Sequence, residues 1–235
     1  MKIIVTKNYE ELGKLTSEYL LGLMLSKQNR MNIAITAGKT PEAVYKYLVP
    51  KVKEKDYINH VHYYNFDEIP FKVTKTVGIT MRDLQNLFFI PANIPAAQIH
   101  PLDENNYQSQ DERLANDGGL DAILLGIGAD GHYCGNLPGT TTFEDFTSKV
   151  DCDERLKDRI KGHFDKEEDI PDYYITMGPR SIMSAKRLIL IANGTRKAKI
   201  MKEFIHGKVN RDIPASILRM HPDLTVIMDE DTASL

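Results

Sequence analysis

Short apolar runs rich in Ile, Val and Leu alternate with stretches of helical periodicity along most of this 235-residue chain, and no other feature narrows the fold as far. Continuous apolar runs of about 4–8 residues read as strands buried on both faces. Parallel neighbours need a crossover between them, and an intervening helix supplies it. The expectation is an α/β chain of a single domain: a mostly parallel, Rossmann-like sheet with helices on both faces.

MKIIVT reads as the first strand, and Asn8 then caps a helix to about Lys27, with Glu11 at the capping-box position. NIAIT, residues 32–36, is the next strand. The helix after it is expected to open with Thr40 as N-cap and Pro41 in its first turn. Further strands are expected at 60–66, 120–126, 173–177, 187–192 and 224–228, and further helices at 80–90, 107–117, 179–186 and 195–205. The polar stretch at about 139–170 shows no clear periodicity. Long structureless segments in compact domains are usually functional or disordered, so a lid over the crevice is expected, with a surface excursion away from it as the alternative.

Composition excludes several classes. The net charge of -3 provides no basic excess to neutralise a nucleic-acid backbone, so no nucleic-acid partner is expected. No run reaches the roughly 18 apolar residues of a membrane span, and the N-terminus does not read as a secretory leader, which together point to a cytoplasmic protein with no membrane partner. Two cysteines, Cys134 and Cys152, make no disulfide framework and are expected to be reduced. The histidines show no HExxH-type spacing, and neither a metal nor a cofactor is expected.

In open α/β sheets, ligands bind beyond the carboxyl ends of the strands, where helix N-termini direct N–H groups into the crevice. Gly38-Lys39-Thr40-Pro41 follows the second strand, and its glycine turn, hydroxyl and helix start are the ingredients of a phosphate site. It is not a nucleotide-triphosphate loop, since the GxxxxGK[ST] spacing is absent; a plain capped helix is the alternative. Asp67 and Glu68 close the 60–66 strand, and partial desolvation would make either a usable base, the alternative being a solvated acidic loop.

GIGADGH, residues 126–132, follows the most hydrophobic strand. Its glycines let backbone approach a ligand, histidine is the side chain that ordinarily titrates near neutral pH, and Asp130 can orient the imidazole of His132. The GxGxxG spacing there lacks the periodic helix and ribose-binding acid of a dinucleotide site. Lys197 lies in the first turn of a helix capped by Thr195, within reach of an anion, whereas Arg196, Lys199 and Lys202 read as a solvated face.

NIAITAGKTPEAVYKYL, YYNFDEIP, LDAILLGIGADGHYCGNLP, YYITMG, NGTRKA and IPASILRMHPDLTVIMDE together resemble the superfamily of glucosamine-6-phosphate deaminase/isomerases and 6-phosphogluconolactonases, over nearly the whole chain and in the family's order. Asn65-Phe66-Asp67-Glu68 is more similar to the deaminase segment than to the lactonase one, where an Arg commonly stands in place of Ile69. The resemblance implies that Gly38, Lys39, Thr40 and Lys197 bind a substrate phosphate. It implies Asp67 as the base moving a proton between C1 and C2, and His132, oriented by Asp130, as the group that helps open the sugar ring. It also implies a further basic group between 155 and 163, either Lys161 or His163. One departure stands out: deaminases carry a glutamate before the proline that follows the DGH turn, and this chain has Leu137 before Pro138.

The expected partner is a small phosphorylated sugar, and a homo-oligomer stays open. The first reading is an aldose–ketose isomerase or deaminase acting on a hexose 6-phosphate such as glucosamine 6-phosphate. Hydrolysis of a phosphorylated sugar lactone, with His132 activating water, is the alternative, followed by a non-catalytic sugar-phosphate sensor.

Overall fold

The computed structural model describes residues 1–74 and 76–234. The chain begins with β1 (Lys2–Thr6), α1 (Tyr9–Leu25), β2 (Met31–Ala34), α2 (Glu42–Val52), β3 (Val61–Tyr64), β4 (Asp67–Glu68) and α3 (Ile79–Leu84). It continues through β5 (Ile99–His100), α4 (Gln110–Asn116), β6 (Ala122–Gly126), β7 (Ser148–Asp151) and α5 (Glu154–Ile160). The last elements are β8 (Tyr173–Thr176), α6 (Pro179–Met183), β9 (Leu188–Ala192), α7 (Ala198–His206), β10 (Leu224–Asp229) and α8 (Glu230–Ala233).

Seven strands form one sheet in the order β1-β10-β9-β6-β2-β3-β5, parallel at every pairing. Successive residues of the inner strands enter opposite cores. Ala34, Tyr64, Ile123, Leu190 and Val226 join α4, α6 and α7 on one face. Ile33, Tyr63, Leu124, Ile191 and Ile227 join α1, α2 and α3 on the other. A strand buried on both faces shows no polar alternation, which is why these runs read as continuously apolar.

From β2 the next strand of the main sheet is β3 on one side, and from β6, after the small sheet, it is β9 on the other, so the connections leaving adjacent β2 and β6 part at their carboxyl ends. Connections that part in this way open a crevice at the switch point of the sheet.

Several expectations are corrected. Residues 173–177 do not enter the main sheet, because β8 pairs antiparallel with β4 and β7 in a second sheet of three strands. The 80–90 helix is α3 followed by a π-helical turn at Gln85–Phe89, and the 107–117 helix starts as a 3-10 turn before α4. The 139–170 stretch is not structureless, since it contains β7 and α5. Among the described residues, no helix is long and apolar enough to cross a membrane.

Candidate functional site

A cavity of about 490 Å³ occupies the switch point and brings together Gly38, Lys39, Thr40, Asp67, His132 and Lys197. These six come from the exits of β2, β3, β6 and β9, separated in sequence and joined only by the sheet order. Asp130, the seventh expected residue, is absent from the cavity wall and reaches the site through His132.

Gly38 takes a positive φ of 101°, the conformation for which glycine is suited. Thr40 does not cap α2 as expected: Pro41 holds the cap position, and the Thr40 hydroxyl turns away to donate to Asn193 Oδ1 at 2.7 Å. Lys197 Nζ in turn donates to Thr40 Oγ1 at 2.9 Å. This side-chain bridge ties the β2 exit to the β9 exit. Burial pushes the Lys197 ammonium down to about 8, only partly offset by the Asp229 carboxylate. Arg196, Lys199 and Lys202 are exposed, as a solvated face requires.

Asp67 sits where the chain leaves β3 for the small sheet. The buried Asn65 side chain organises that turn, donating to the carbonyls of Asp67 and Leu102 and accepting from Leu102 N. Desolvation raises the Asp67 carboxyl to about 6, and a 3.1 Å hydrogen bond from Thr80 Oγ1 limits the rise. Glu68, the other acid considered as a base, has its carboxylate engaged instead. It accepts from the backbone N–H groups of Ile69, Thr80 and Met81 at 2.8–3.0 Å, anchoring the start of α3.

His132 presents its ring to the cavity, with Nδ1 2.5 Å from Asp130 Oδ1. Its backbone carbonyl accepts from Gly128 N at 2.8 Å. A Cβ at Gly128 would lie 1.9 Å from the imidazole, so only glycine leaves the ring its place.

Arg159 on α5 is the main residue that sequence reasoning missed. It lines the cavity, donates from Nη1 to Asp130 Oδ2 at 2.7 Å, and brings Nη2 within 2.8 Å of His132 Nδ1. Leu156, Arg159 and Ile160 share the helix face turned toward the site behind the Asp153 cap, a spacing too short to show as a period in the sequence. Of the two basic residues considered in that stretch, His163 lines the cavity. Lys161 does not, and pairs with Asp158 on the exposed side.

Leu137 also lines the cavity and is buried with Val150, Leu156 and Tyr174 in a small apolar cluster. The wall that would carry a third ionisable group is therefore hydrocarbon. Both cysteines are free, and Cys134 in the cavity wall has its thiol pushed well up by burial and by the nearby Asp67 charge. Among the described residues, no group of three or more His, Cys, Asp or Glu side chains is placed to hold a metal ion.

Residues 11–227 match the sequence profile of the family described as glucosamine-6-phosphate isomerases/6-phosphogluconolactonase. A glucosamine-6-phosphate deaminase of Thermoanaerobacter pseudethanolicus is 34% identical, with 100% of this chain and 95% of that protein covered. One of Oceanobacillus iheyensis is 31% identical, with 98% and 94% covered. A solved structure of a monomeric glucosamine-6-phosphate deaminase superposes with a TM-score of 0.84 at 26% identity, covering 100% of both chains. The 6-phosphogluconolactonase of Trypanosoma brucei shares the fold, with a TM-score of 0.76 at 18% identity over 99% of this chain and 97% of that one.

Proposed function

This chain belongs to the family of glucosamine-6-phosphate isomerases and 6-phosphogluconolactonases, and from that premise we propose that it interconverts the aldose and ketose forms of a hexose 6-phosphate, releasing ammonia when the substrate is glucosamine 6-phosphate. The observation that carries this reading is Asp67, a carboxylate lifted to about 6 in the same cavity as the Thr40–Lys197 bridge. A base is most useful when its pKa lies near the operating pH.

The phosphate takes its place against Gly38, Lys39, Thr40 and Lys197, where a charged amine and a helix start favour an anion. His132, oriented by Asp130, assists ring opening. Asp67 then takes the C2 proton, exchanges it with solvent and delivers a proton to C1, carrying the open-chain aldose to the ketose through an enediol, or an enolamine for the amino sugar. For the amino sugar, tautomerisation to a ketimine and addition of water at C2 release ammonia. With Leu137 in the wall, ring opening relies on one ionisable group fewer, so glucosamine 6-phosphate is turned over slowly or another hexose 6-phosphate is preferred.

The 139–170 segment serves as a lid, which its contribution of Leu156, Arg159, Ile160 and His163 to the cavity wall supports. A soluble sugar phosphate as substrate agrees with a cytoplasmic enzyme. The test is incubation with hexose 6-phosphates, amino-hexose 6-phosphates and 6-phosphogluconolactone, with detection of ketose, ammonia and acid. Ketose from an aldose 6-phosphate is the expected product. Acid from the lactone with no ketose from any aldose would replace this reading with the hydrolase.

A further inference from the structure

A helix start leaves backbone N–H groups without intrahelical partners, and a side-chain oxygen at the cap residue usually takes one of them. At α2 that cap is missing: Pro41 makes no side-chain hydrogen bond, and the Thr40 hydroxyl is turned to Asn193. Tyr9, the first residue of α1, fills the gap from another helix. Its hydroxyl accepts from Ala43 N at 3.1 Å and donates to the Lys39 carbonyl at 2.7 Å. A phenol has one O–H to give and a lone pair to accept with, so the two bonds are compatible. The Lys39 carbonyl also accepts from Glu42 N, at a longer 3.3 Å.

Tyr9 is itself firmly held. Asn8 Oδ1 accepts from Glu11 N at 2.9 Å and Glu11 Oε2 accepts from Lys7 N at 2.6 Å, which fixes the start of α1. The two helices are in direct contact, since a Cβ at Gly13 would lie 2.4 Å from the Ala43 Cβ. The far end of the loop is pinned as well, by buried Tyr45, whose hydroxyl donates to the Thr36 carbonyl at 2.5 Å. Between these anchors Gly38, Lys39 and Thr40 line the cavity, and Tyr9 does not. A trans peptide is planar, so its C=O and N–H point opposite ways. The Lys39 carbonyl, turned toward Tyr9, therefore turns the Thr40 N–H away from it. Among the described residues that N–H has no acceptor.

We propose that Tyr9 is a positioning residue for the anion: by holding the Lys39 carbonyl outward, it keeps the Thr40 N–H directed into the cavity as a donor to the substrate phosphate. The inference rests on the phosphate site given above to Gly38, Lys39, Thr40 and Lys197. Without the hydroxyl, the Lys39–Thr40 peptide loses its shortest anchor, and Gly38, at a φ of 101°, is the permissive residue that lets the turn change shape. Tyr9 lies outside the cavity wall, so its loss weakens the grip on the anion without removing a contact to it.

The test is titration with inorganic phosphate, followed by proton–nitrogen correlation NMR on protein with assigned backbone amides, for the wild type and Tyr9→Phe. In the wild type the Thr40 amide proton should move downfield as phosphate saturates the site. Tyr9→Phe keeps the ring and removes both hydrogen bonds. It should bind phosphate roughly two- to tenfold more weakly, the worth of one ordinary hydrogen bond, with a smaller Thr40 displacement at saturation. Weaker binding with a Thr40 displacement of wild-type size would mark a merely structural effect and overturn the Tyr9 role, as would equal affinity. A wild-type Thr40 amide indifferent to phosphate while Gly38 or Lys39 responds would overturn it too, and that outcome needs no variant to fold. Phosphate that moves none of the three amides would overturn the phosphate site itself and the Tyr9 role with it.

Discussion

At Lys197 the same burial that shapes the cavity also weakens the cation placed there. Its ammonium, pushed down to about 8, is charged below that pH and loses its proton above it. The charged form is the one that pairs with phosphate, so affinity for a sugar phosphate should fall as the pH rises through about 8. A phosphomonoester's own second ionisation, near 6, does not produce that limb. Lys197→Ala should weaken binding by about 1.5–3 kcal/mol, roughly ten- to a hundredfold, the range for hydrogen bonds to charged groups. Calorimetric titration across pH 6–10 (roughly two units either side of the expected limb) checks both; an alkaline limb that persists in Lys197→Ala would assign it elsewhere. Lys197 and Asp67 could be picked out from sequence because glycine turns and acid pairs at strand exits are local signals. Arg159 could not, because its partners Asp130 and His132 lie more than one element away, and only the folded chain brings α5 back to the DGH turn.

Among the elements, legibility followed length and the number of buried positions. β9 and β10 are buried at every residue and were read from their apolar runs. β7 buries one residue of four, and α5 buries only Leu156 and Ile160, too few for any period to show. β4 and β5, two residues each, lie below the length of an ordinary strand pattern. The small sheet that β4 helps to define nevertheless places Asp67, whose backbone pairs with Thr176 on β8. The 139–170 segment, read as irregular, proves to supply part of the cavity wall, and the lid proposal gives that contact a dynamic consequence. Limited proteolysis within 139–170 should slow when a saturating hexose 6-phosphate is present, since a closed lid is withdrawn from the protease. Cleavage at an unchanged rate would make the segment a fixed wall instead.

Across the whole molecule, the strand order explains why a site can be assembled from exits so far apart in sequence. β2 and β6 are neighbours that lead in opposite directions, and the cavity occupies the gap this leaves. The alternation of strands and helices in the sequence implied a parallel sheet; the order of strands within it, and hence the meeting of Asp67, His132 and Lys197, follows from long-range pairings that no local pattern encodes. The function proposed for this cavity requires Asp67 to move a proton between adjacent carbons. The most direct measurement is turnover of glucose 6-phosphate and glucosamine 6-phosphate in deuterium oxide, followed by proton NMR, for the wild type and Asp67→Asn. The wild type should give fructose 6-phosphate carrying solvent deuterium at C1, with ammonia from the amino sugar, and Asp67→Asn should be slower by about a hundredfold to ten-thousandfold, the usual worth of a positioned base. Ketose formation and deuterium incorporation at the wild-type rate in Asp67→Asn would contradict it.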